Sequence, residues 1–299
     1  MNTHSSIHRA GPMAVLGLVA IAATSLTAQS ANAADVGITC GTVVTSDLRL
    51  TADLLDCPGP GLVVSAPDIT IDLAGHVIDG TGVGAAIDNQ AGHDGVTITR
   101  GTVREFLFGV ALHQADGNRI DRVVASSNIG GFVVSSSENV ELDRVSALGS
   151  LGTGIEITFS DDVTLRRSTA AENGLFGIVD RFSSGTRFER NTTTGNEATG
   201  LVVDLSEHVV VERNDALGNN SDGIEVTRAT DAVVERNHAT ANAGVGITVI
   251  DPGVTVTLTR NRADANQGAG IAADPGTLDG GGNRARGNLA GECSGVTCR

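Results

Sequence analysis

The sequence predicts an all-β solenoid in which short parallel strands coil around three sides. Three observations lead to this fold class: one glycine recurs every 22 to 25 residues, apolar residues alternate after it, and asparagines recur in phase with it. A fixed period of this length is typical of stacked coils, and no helical apolar period accompanies it. We therefore expect about ten coils with disulfide-bonded ends.

The first strand of each unit follows the recurring glycine. The glycines in phase are Gly84, Gly109, Gly131, Gly154, Gly177, Gly200, Gly223, Gly246 and Gly270. Apolar residues stand one and three places after the glycine, as in Ile155 with Ile157 and Ile224 with Val226. This alternation predicts a strand with one inward face. Asp180 is the exception, because it occupies an inward position.

Two further strands complete the unit. The second carries apolar pairs such as Val163 with Leu165, and the third carries a row of small residues such as Ala170 and Ala216. Three short strands, each with one inward side, predict a three-sided coil. With nine or ten coils stacked in parallel at about 4.8 Å, the rod would be roughly 45 Å long.

Asparagine rows mark two of the turns. The rows consist of Asn191, Asn214, Asn237 and Asn261, and of Asn173, Asn196, Asn219, Asn242 and Asn266. Asparagine tolerates the left-handed backbone of a sharp corner, and its amide can bond the equivalent asparagine one coil away. We therefore assign both rows to structure rather than to function.

The N-terminus is typical of an export signal. Arg9 precedes a short apolar run, and the residues "ANA" at 31–33 provide a small-residue cleavage site. The run is too short to span a membrane comfortably. We expect a bacterial Sec signal peptide over 1–33, an N-terminal cap over 34–60, the β-helix over 61–276 and a C-terminal cap over 277–299. The mature chain is predicted to be a secreted monomer without a membrane span.

Four cysteines lie near the two ends of the mature chain. They are Cys40, Cys57, Cys293 and Cys298. In an oxidising compartment disulfides are the expected state, and of three possible connectivities we favour Cys40–Cys57 and Cys293–Cys298. Metal binding is the weaker alternative, since no C-x-x-C pair occurs.

The repeat resembles a known superfamily. The unit G-[I/L/V]-x-[V/I], followed by R-N-x-A and by N-x-x-x-G, is similar to the right-handed parallel β-helix repeat of pectate-lyase-like proteins. The opening "CGTVVTSDLRLTADLLDC" with "ITIDLAGHVIDG" resembles secreted bacterial β-helix repeat proteins. The resemblance covers residues 40–298. It implies a right-handed coil with a groove along the first strand, but no single activity, because lyases, hydrolases, epimerases, adhesins and non-catalytic proteins share the fold.

Four residues on or beside this predicted groove are candidates for catalysis. Asp204 and Glu225 fall on adjacent coils, roughly 8 Å apart along the backbones, which suits an inverting glycosidase. Arg181 stands opposite Asp204 as a candidate base or binding group, although the pattern favours an ordinary cross-strand ion pair. Asp180 breaks the inward apolar row, so it is either hydrogen-bonded or part of a local bulge.

Further groove residues are candidates for substrate binding. They are Glu156, Arg228, Asp251, Phe159 and Phe182. The two phenylalanines would replace the missing tryptophan and tyrosine as sugar platforms. The alternative is that the whole set forms a solvated charged face.

Net charge restricts the partners. The chain carries −15 at neutral pH and contains no lysine. This acidity opposes nucleic acid binding, and an anionic polysaccharide would need a bridging ion such as Ca²⁺. No other cofactor is indicated.

Two functions remain open from the sequence. The first is a secreted protein that binds or processes an extracellular polysaccharide in a lyase-, hydrolase- or epimerase-like groove; as an enzyme it would be a polysaccharide lyase or a glycoside hydrolase. The second is a non-catalytic envelope or surface scaffold, whose repeat makes a rigid rod.

Overall fold

The structure is a computed structural model that describes residues 37–299. The predicted signal peptide, residues 1–33, lies outside the described residues. Residues 37–299 form 32 strands and contain no helix. It follows that no helix in this range could cross a membrane.

The strands are short and evenly spaced. In the first half they are β1 (Thr42–Val44), β2 (Leu48–Arg49), β3 (Leu54–Cys57), β4 (Leu62–Val64), β5 (Thr70–Asp72), β6 (Val77–Gly80), β7 (Ala85–Asn89), β8 (Thr97–Arg104), β9 (Phe108–His113), β10 (Arg119–Ser126), β11 (Gly130–Ser135), β12 (Glu141–Asp143), β13 (Ser146–Leu148), β14 (Ile155–Thr158), β15 (Thr164–Arg166) and β16 (Thr169–Ala171). In the second half they are β17 (Ile178–Arg181), β18 (Arg187–Glu189), β19 (Thr192–Thr194), β20 (Leu201–Asp204), β21 (Val210–Glu212), β22 (Asp215–Leu217), β23 (Ile224–Thr227), β24 (Ala232–Glu235), β25 (His238–Thr240), β26 (Ile247–Ile250), β27 (Val256–Thr259), β28 (Arg262–Asp264), β29 (Ile271–Ala273), β30 (Thr277–Gly281), β31 (Arg284–Arg286) and β32 (Cys293–Ser294).

All ladders are parallel, and they make three stacks. The first stack contains the 12 strands β1, β4, β7, β9, β11, β14, β17, β20, β23, β26, β29 and β32. The long strands β8 and β10 each serve both the second and the third stack. The predicted three-sided parallel coil is therefore confirmed, with about 11 turns instead of about ten. The additional turn is residues 42–57, whose strands pair with the next coil. The cap and β-helix boundaries at 60/61 and 276/277 stay predictions.

One glycine was placed in the wrong row. Ile87 pairs with Val110, so Ala86 and not Gly84 lies opposite Gly109. Gly84 lies two residues earlier in a left-handed conformation, with φ of +74°. The other glycines are required by a close approach: a Cβ on Gly200 would lie 2.7 Å from the carbonyl oxygen of Gly223.

The core is a column of inward side chains. Ile155, Ile178, Leu201 and Ile224 lie above one another in the first stack and are buried. Because each coil presents the same thin layer, no coil can bury its apolar face without its neighbours. The predicted disulfides, Cys40–Cys57 and Cys293–Cys298, are both formed near the two ends of this column.

The asparagine rows are buried ladders of hydrogen bonds. Nδ2 of Asn214 donates to the carbonyl oxygen of Phe188 at 2.9 Å and to Oδ1 of Asn237 at 3.1 Å. Its own Oδ1 accepts from the backbone N–H and from Nδ2 of Asn191. The structure extends the two rows by Asn283 and Asn288. Buried backbone groups at each corner thereby find a partner on the next coil.

Replacing one ladder asparagine is expected to be strongly destabilising. Asn214→Ala removes the acceptor of Asn191 and the donor to Phe188, and we expect the free energy of unfolding to fall by about 3 kcal/mol. The exposed Asn220, whose amide bonds only Glu197, is the matched control. Asn220→Ala should cost less than about 0.5 kcal/mol. Equal losses in urea unfolding would contradict a structural role for the ladder.

Candidate functional site

The first face is the outer surface of β14, β17, β20, β23 and β26. Strand alternation directs the second and fourth residue of each strand outward. The outward residues are Glu156, Val179, Val202, Glu225 and Thr248 in one row, and Thr158, Arg181, Asp204, Thr227 and Ile250 in the next. Charged and apolar side chains therefore share the outer side of this sheet.

Three charged residues of this face meet. Nη2 of Arg228 donates to Oδ1 of Asp204 at 2.6 Å, and Nε of Arg181 lies 3.8 Å from Oδ2 of Asp204. Arg181 and Asp204 are opposite one another in register. We call Arg181, Asp204 and Arg228 the charged row. The ion-pair reading of this spacing is thus present in the structure, with one carboxylate held between two guanidinium groups.

Two phenylalanines stack at the edge of the same face. The rings of Phe159 and Phe182 are 4.9 Å apart between centroids and 6° from parallel. Both follow a first-stack strand in a left-handed conformation, and both are about half exposed or more, at 63% and 47%. Leu205 continues this row one coil further on. We call Phe159, Phe182 and Leu205 the aromatic ledge. Arg228 and Asp251 occupy the next two places of the row.

Between the two glutamates lies an apolar strip. Val179 and Val202 separate Glu156 from Glu225 in register, and both valines are buried although they point outward. Glu156 and Glu225 are consequently about 14 Å apart, at three coil spacings. Glu225 accepts a hydrogen bond from Oγ1 of Thr227 at 3.0 Å. The predicted candidates therefore surround an apolar strip and do not converge on one point.

Phe176 was missed by the sequence reasoning. Its half-buried ring lies 5.6 Å from the guanidinium carbon of Arg181, within the range of a cation–π contact. The contact fixes Arg181 beside the apolar strip. The available signal was an aromatic residue directly before Gly177, at a place where other coils carry Thr153 and Thr199.

Asp180 lies inside the coil. It pairs with Ile157 and Val203 without a register shift and is fully buried. The bulge that the sequence left open is therefore absent at this strand, and the carboxylate does not reach Arg181. Oγ1 of Thr186 donates to its Oδ1 at 3.4 Å, while Oδ2 has no partner among residues 37–299. A substrate on the first face could not touch this group, so the predicted catalytic role of Asp180 has no geometric support.

Burial raises the pKa of the Asp180 carboxyl to about 6, and the hydroxyls of Ser183, Ser206 and Thr186 offset only part of this effect. The cause is desolvation, which disfavours the charged form. A folded pKa above the unfolded value means that the folded protein binds more protons between about pH 4 and pH 6. Stability is therefore lost as the pH rises through this window.

The described part of the chain offers no ready metal site. Residues 37–299 contain no group of three or more His, Cys, Asp or Glu side chains arranged to hold an ion. Ca²⁺ as a bridging ion stays a prediction. Clefts lie near the two ends of the described chain, lined by residues 38–48 at one end and by residues between 260 and 286 at the other.

Comparisons with known proteins agree with this architecture. The family described as "Right handed beta helix region" matches residues 130–289. No curated protein has a matching sequence. The solved structure of the periplasmic alginate epimerase AlgG superposes with a TM-score of 0.56 at 13% identity, over 84% of this chain and 73% of that one. At this identity the likeness shows the fold.

Two other similar structures have lower scores. The A-module of Azotobacter vinelandii mannuronan C-5 epimerase AlgE6 has a TM-score of 0.48 at 16% identity, over 87% of this chain and 91% of that one. The Streptococcus pneumoniae surface protein and adhesin PfbA has a TM-score of 0.44 at 13% identity, with the same coverage of 87% and 91%.

Neutralising Asp180 should stabilise the protein in a pH-dependent way. Asp180→Asn is expected to raise the free energy of unfolding by about 3 kcal/mol at pH 8, where the wild-type carboxylate is charged, and by much less at pH 4. Chemical denaturation at the two pH values measures this difference. Asp161→Asn, at an exposed aspartate of the preceding coil, should change stability by less than about 0.5 kcal/mol at both. A pH-independent effect at Asp180 would show that its charge is not the cause.

Proposed function

The chain belongs to the right-handed β-helix family, and from this premise we propose that it binds an extracellular polysaccharide across the first face. The proposal rests mainly on one observation: the aromatic ledge and the charged row lie side by side on adjacent coils. A sugar ring presents an apolar C–H face and a rim of hydroxyl groups. The aromatic ledge can pack against the apolar C–H face, and the charged row can bind the hydroxyl groups.

The aromatic ledge supplies apolar contact area. Phe159 and Phe182 form an exposed pair of stacked rings, and they are already held parallel before any ligand arrives. Each ring has only two side-chain torsions, so little conformational entropy is lost when a ligand packs on it. These features favour Phe159 and Phe182 as substrate-binding residues.

The charged row supplies directional polar groups. Guanidinium N–H groups of Arg181 and Arg228 point along the coil axis toward Asp204, and their remaining donors face solvent because both side chains are partly exposed. Such donors bind sugar hydroxyls or a uronate carboxylate. Glu156 and Glu225 border the apolar strip, and Asp251 borders Arg228. Because these carboxylates repel an anionic polysaccharide, such a chain would bind across the charged row rather than along the glutamates.

Binding is better supported than catalysis. Asp204 is held between two arginines, an arrangement that favours an ion pair over a general acid or base of an inverting hydrolase. A lyase or epimerase reaction stays open through Arg181 and Asp204. The disulfides fit an oxidising compartment, which supports the proposed secretion of the mature chain.

The scaffold function is favoured by a different observation. The two asparagine ladders continue to the last coils without interruption, and such continuity serves rigidity rather than recognition. The scaffold hypothesis predicts that changes on the first face leave binding and localisation unaltered.

Substitutions in the aromatic ledge test the proposed glycan binding directly. The double variant Phe159→Ala with Phe182→Ala should weaken glycan binding about tenfold or more, because two stacking surfaces are removed together. Asp204→Ala should weaken it as well, since both arginines lose their shared partner. Leu151→Ala, at a 75%-exposed side chain in the turn before β14, is the control and should bind as the wild type does.

The ligand is found with an array of uronate and neutral glycans, each tested with and without Ca²⁺, followed by titration of the best ligand. Absorbance at the wavelength of unsaturated uronates reports lyase activity in the same samples. If no glycan of the array binds, with or without Ca²⁺, the polysaccharide proposal is overturned and the scaffold function is left.

A further inference from the structure

A second basic surface lies at the C-terminal end of the coil, on other strands than the first face. Two adjoining clefts are lined there by Arg260, Asn261, Arg262, Gly282 and Arg284, and by Arg262, Asp264, Arg284 and Arg286. The larger cleft has a volume of about 370 Å³. Since the two share Arg262 and Arg284, we treat them as one site, the C-terminal arginine cleft. Four arginines against one lining aspartate give a local charge of +3, in a chain of net −15.

In the other coils, arginines of a repeated row form ion pairs. A row of arginines follows the second stack in the left-handed conformation: Arg100, Arg122, Arg144, Arg167, Arg190, Arg213, Arg236 and Arg260. Every member of this row forms an ion pair with an Asp or Glu of its own or the preceding coil. Structural arginines in this protein are therefore partnered.

Arg284 and Arg286 break that rule. Neither forms an ion pair with any residue between 37 and 299, and both are exposed. Arg284 lies directly opposite Arg262 in the parallel ladder, and Arg286 lies opposite Asp264, which is already bound by Arg262. Like charges opposite one another are unfavourable in a sheet. The arrangement gives no stability to the fold, so a ligand must be considered.

Gly282 opens the space for that ligand. It lies opposite Arg260, at the place where each earlier coil carries an arginine of the row. A Cβ at Gly282 would meet Cγ of Arg260 at 3.1 Å. The glycine thus leaves the cleft clear beside Arg260 and Arg262.

Nearby carboxylates do not fill the site. Asp279 accepts from the backbone N–H groups of Gly281 and Thr297, and Glu292 accepts from Gly287 and from the amide of Asn288. Arg260 shares Glu235 with Arg236. The unpaired donors of Arg284 and Arg286 consequently face solvent.

We propose that the C-terminal arginine cleft binds the carboxylate or sulfate groups of an acidic polysaccharide. Guanidinium groups bind such planar or tetrahedral anions through two parallel hydrogen bonds. The coil spacing of about 4.8 Å places successive arginines along the rod, which suits an extended chain with a repeated charge. The net negative charge of the protein disfavours a nucleic acid, whose dense phosphates would meet repulsion beyond the cleft.

The test uses the purified protein with oligogalacturonate of six residues, a sulfated hexasaccharide, neutral maltohexaose and hexathymidylate, titrated calorimetrically at low and at moderate salt. We expect the acidic sugars to bind and maltohexaose not to bind to this cleft. The double variant Arg284→Gln with Arg286→Gln should weaken the binding about tenfold or more. Added salt should weaken it as well. The control is Arg122→Gln with Arg190→Gln, two row arginines of similar exposure, and it should bind as the wild type does.

Several results would overturn this site. They are unchanged affinity in the Arg284/Arg286 variant, an equal loss in the Arg122/Arg190 control, and hexathymidylate binding that depends on Arg284 and Arg286 as strongly as sugar binding does. The uronate and sulfate arms distinguish the two anionic groups. Unfolding should show that the Arg284/Arg286 variant is at least as stable as the wild type, because an unfavourable pair is removed. The first-face site is lost in the variant Phe159→Ala with Phe182→Ala, whereas the acidic-sugar binding assigned here is lost in the Arg284/Arg286 variant, so failure of one site is distinguishable from failure of the other.

Discussion

The whole structure depends on one constraint: each coil must lie in register with the next, because its buried polar groups have no other partners. Asn191, Asn214 and Asn237 show this most directly, since each amide bonds both the next asparagine and a carbonyl of the preceding coil. A shift by one residue would bury unsatisfied amides in every coil at once. The apolar column then packs in the same register.

Because of this constraint, inward-facing side chains serve the structure, and outward-facing side chains are available for function. Inward positions and corner asparagines are fixed by the stack, whereas outward positions cost little to vary. Apart from the buried Asp180, the candidate residues accordingly lie where a side chain leaves the rod: on the first face, and in the left-handed corner that carries Phe159 and Phe182. Non-glycine residues rarely adopt this conformation. Here the neighbouring coils hold it at every turn, so an aromatic side chain is displayed without further support.

The repeat could be predicted from the sequence, but side-chain contacts across the corners of the coils could not. Periodicity predicted the three stacks and the register of Arg181 with Asp204. The disulfide partners were predicted from the position of the cysteines near the two ends of the chain. Gly84 was assigned wrongly, since alanine at position 86 is small enough to take the glycine place. The contact of Phe176 with Arg181 depends on side-chain direction after a turn, and no period encodes it. Similarly, the alternation gave the inward side of Asp180 but not its missing partner.

The charges of the rod differ at its last full coil because of the side chains that this coil carries. In the middle of the stack, an arginine of the left-handed row finds a carboxylate on its own coil or on the preceding one, as Arg236 does with Glu235 and Glu212. At the last full coil, Arg284 and Arg286 find no such partner among residues 37–299. They occupy both outward positions of β31, and the neighbouring Asp264 is already bound by Arg262. A stack of identical units would give a uniform surface. The last full coil departs from this uniformity in charge and in space, and the proposed anion site depends on that departure.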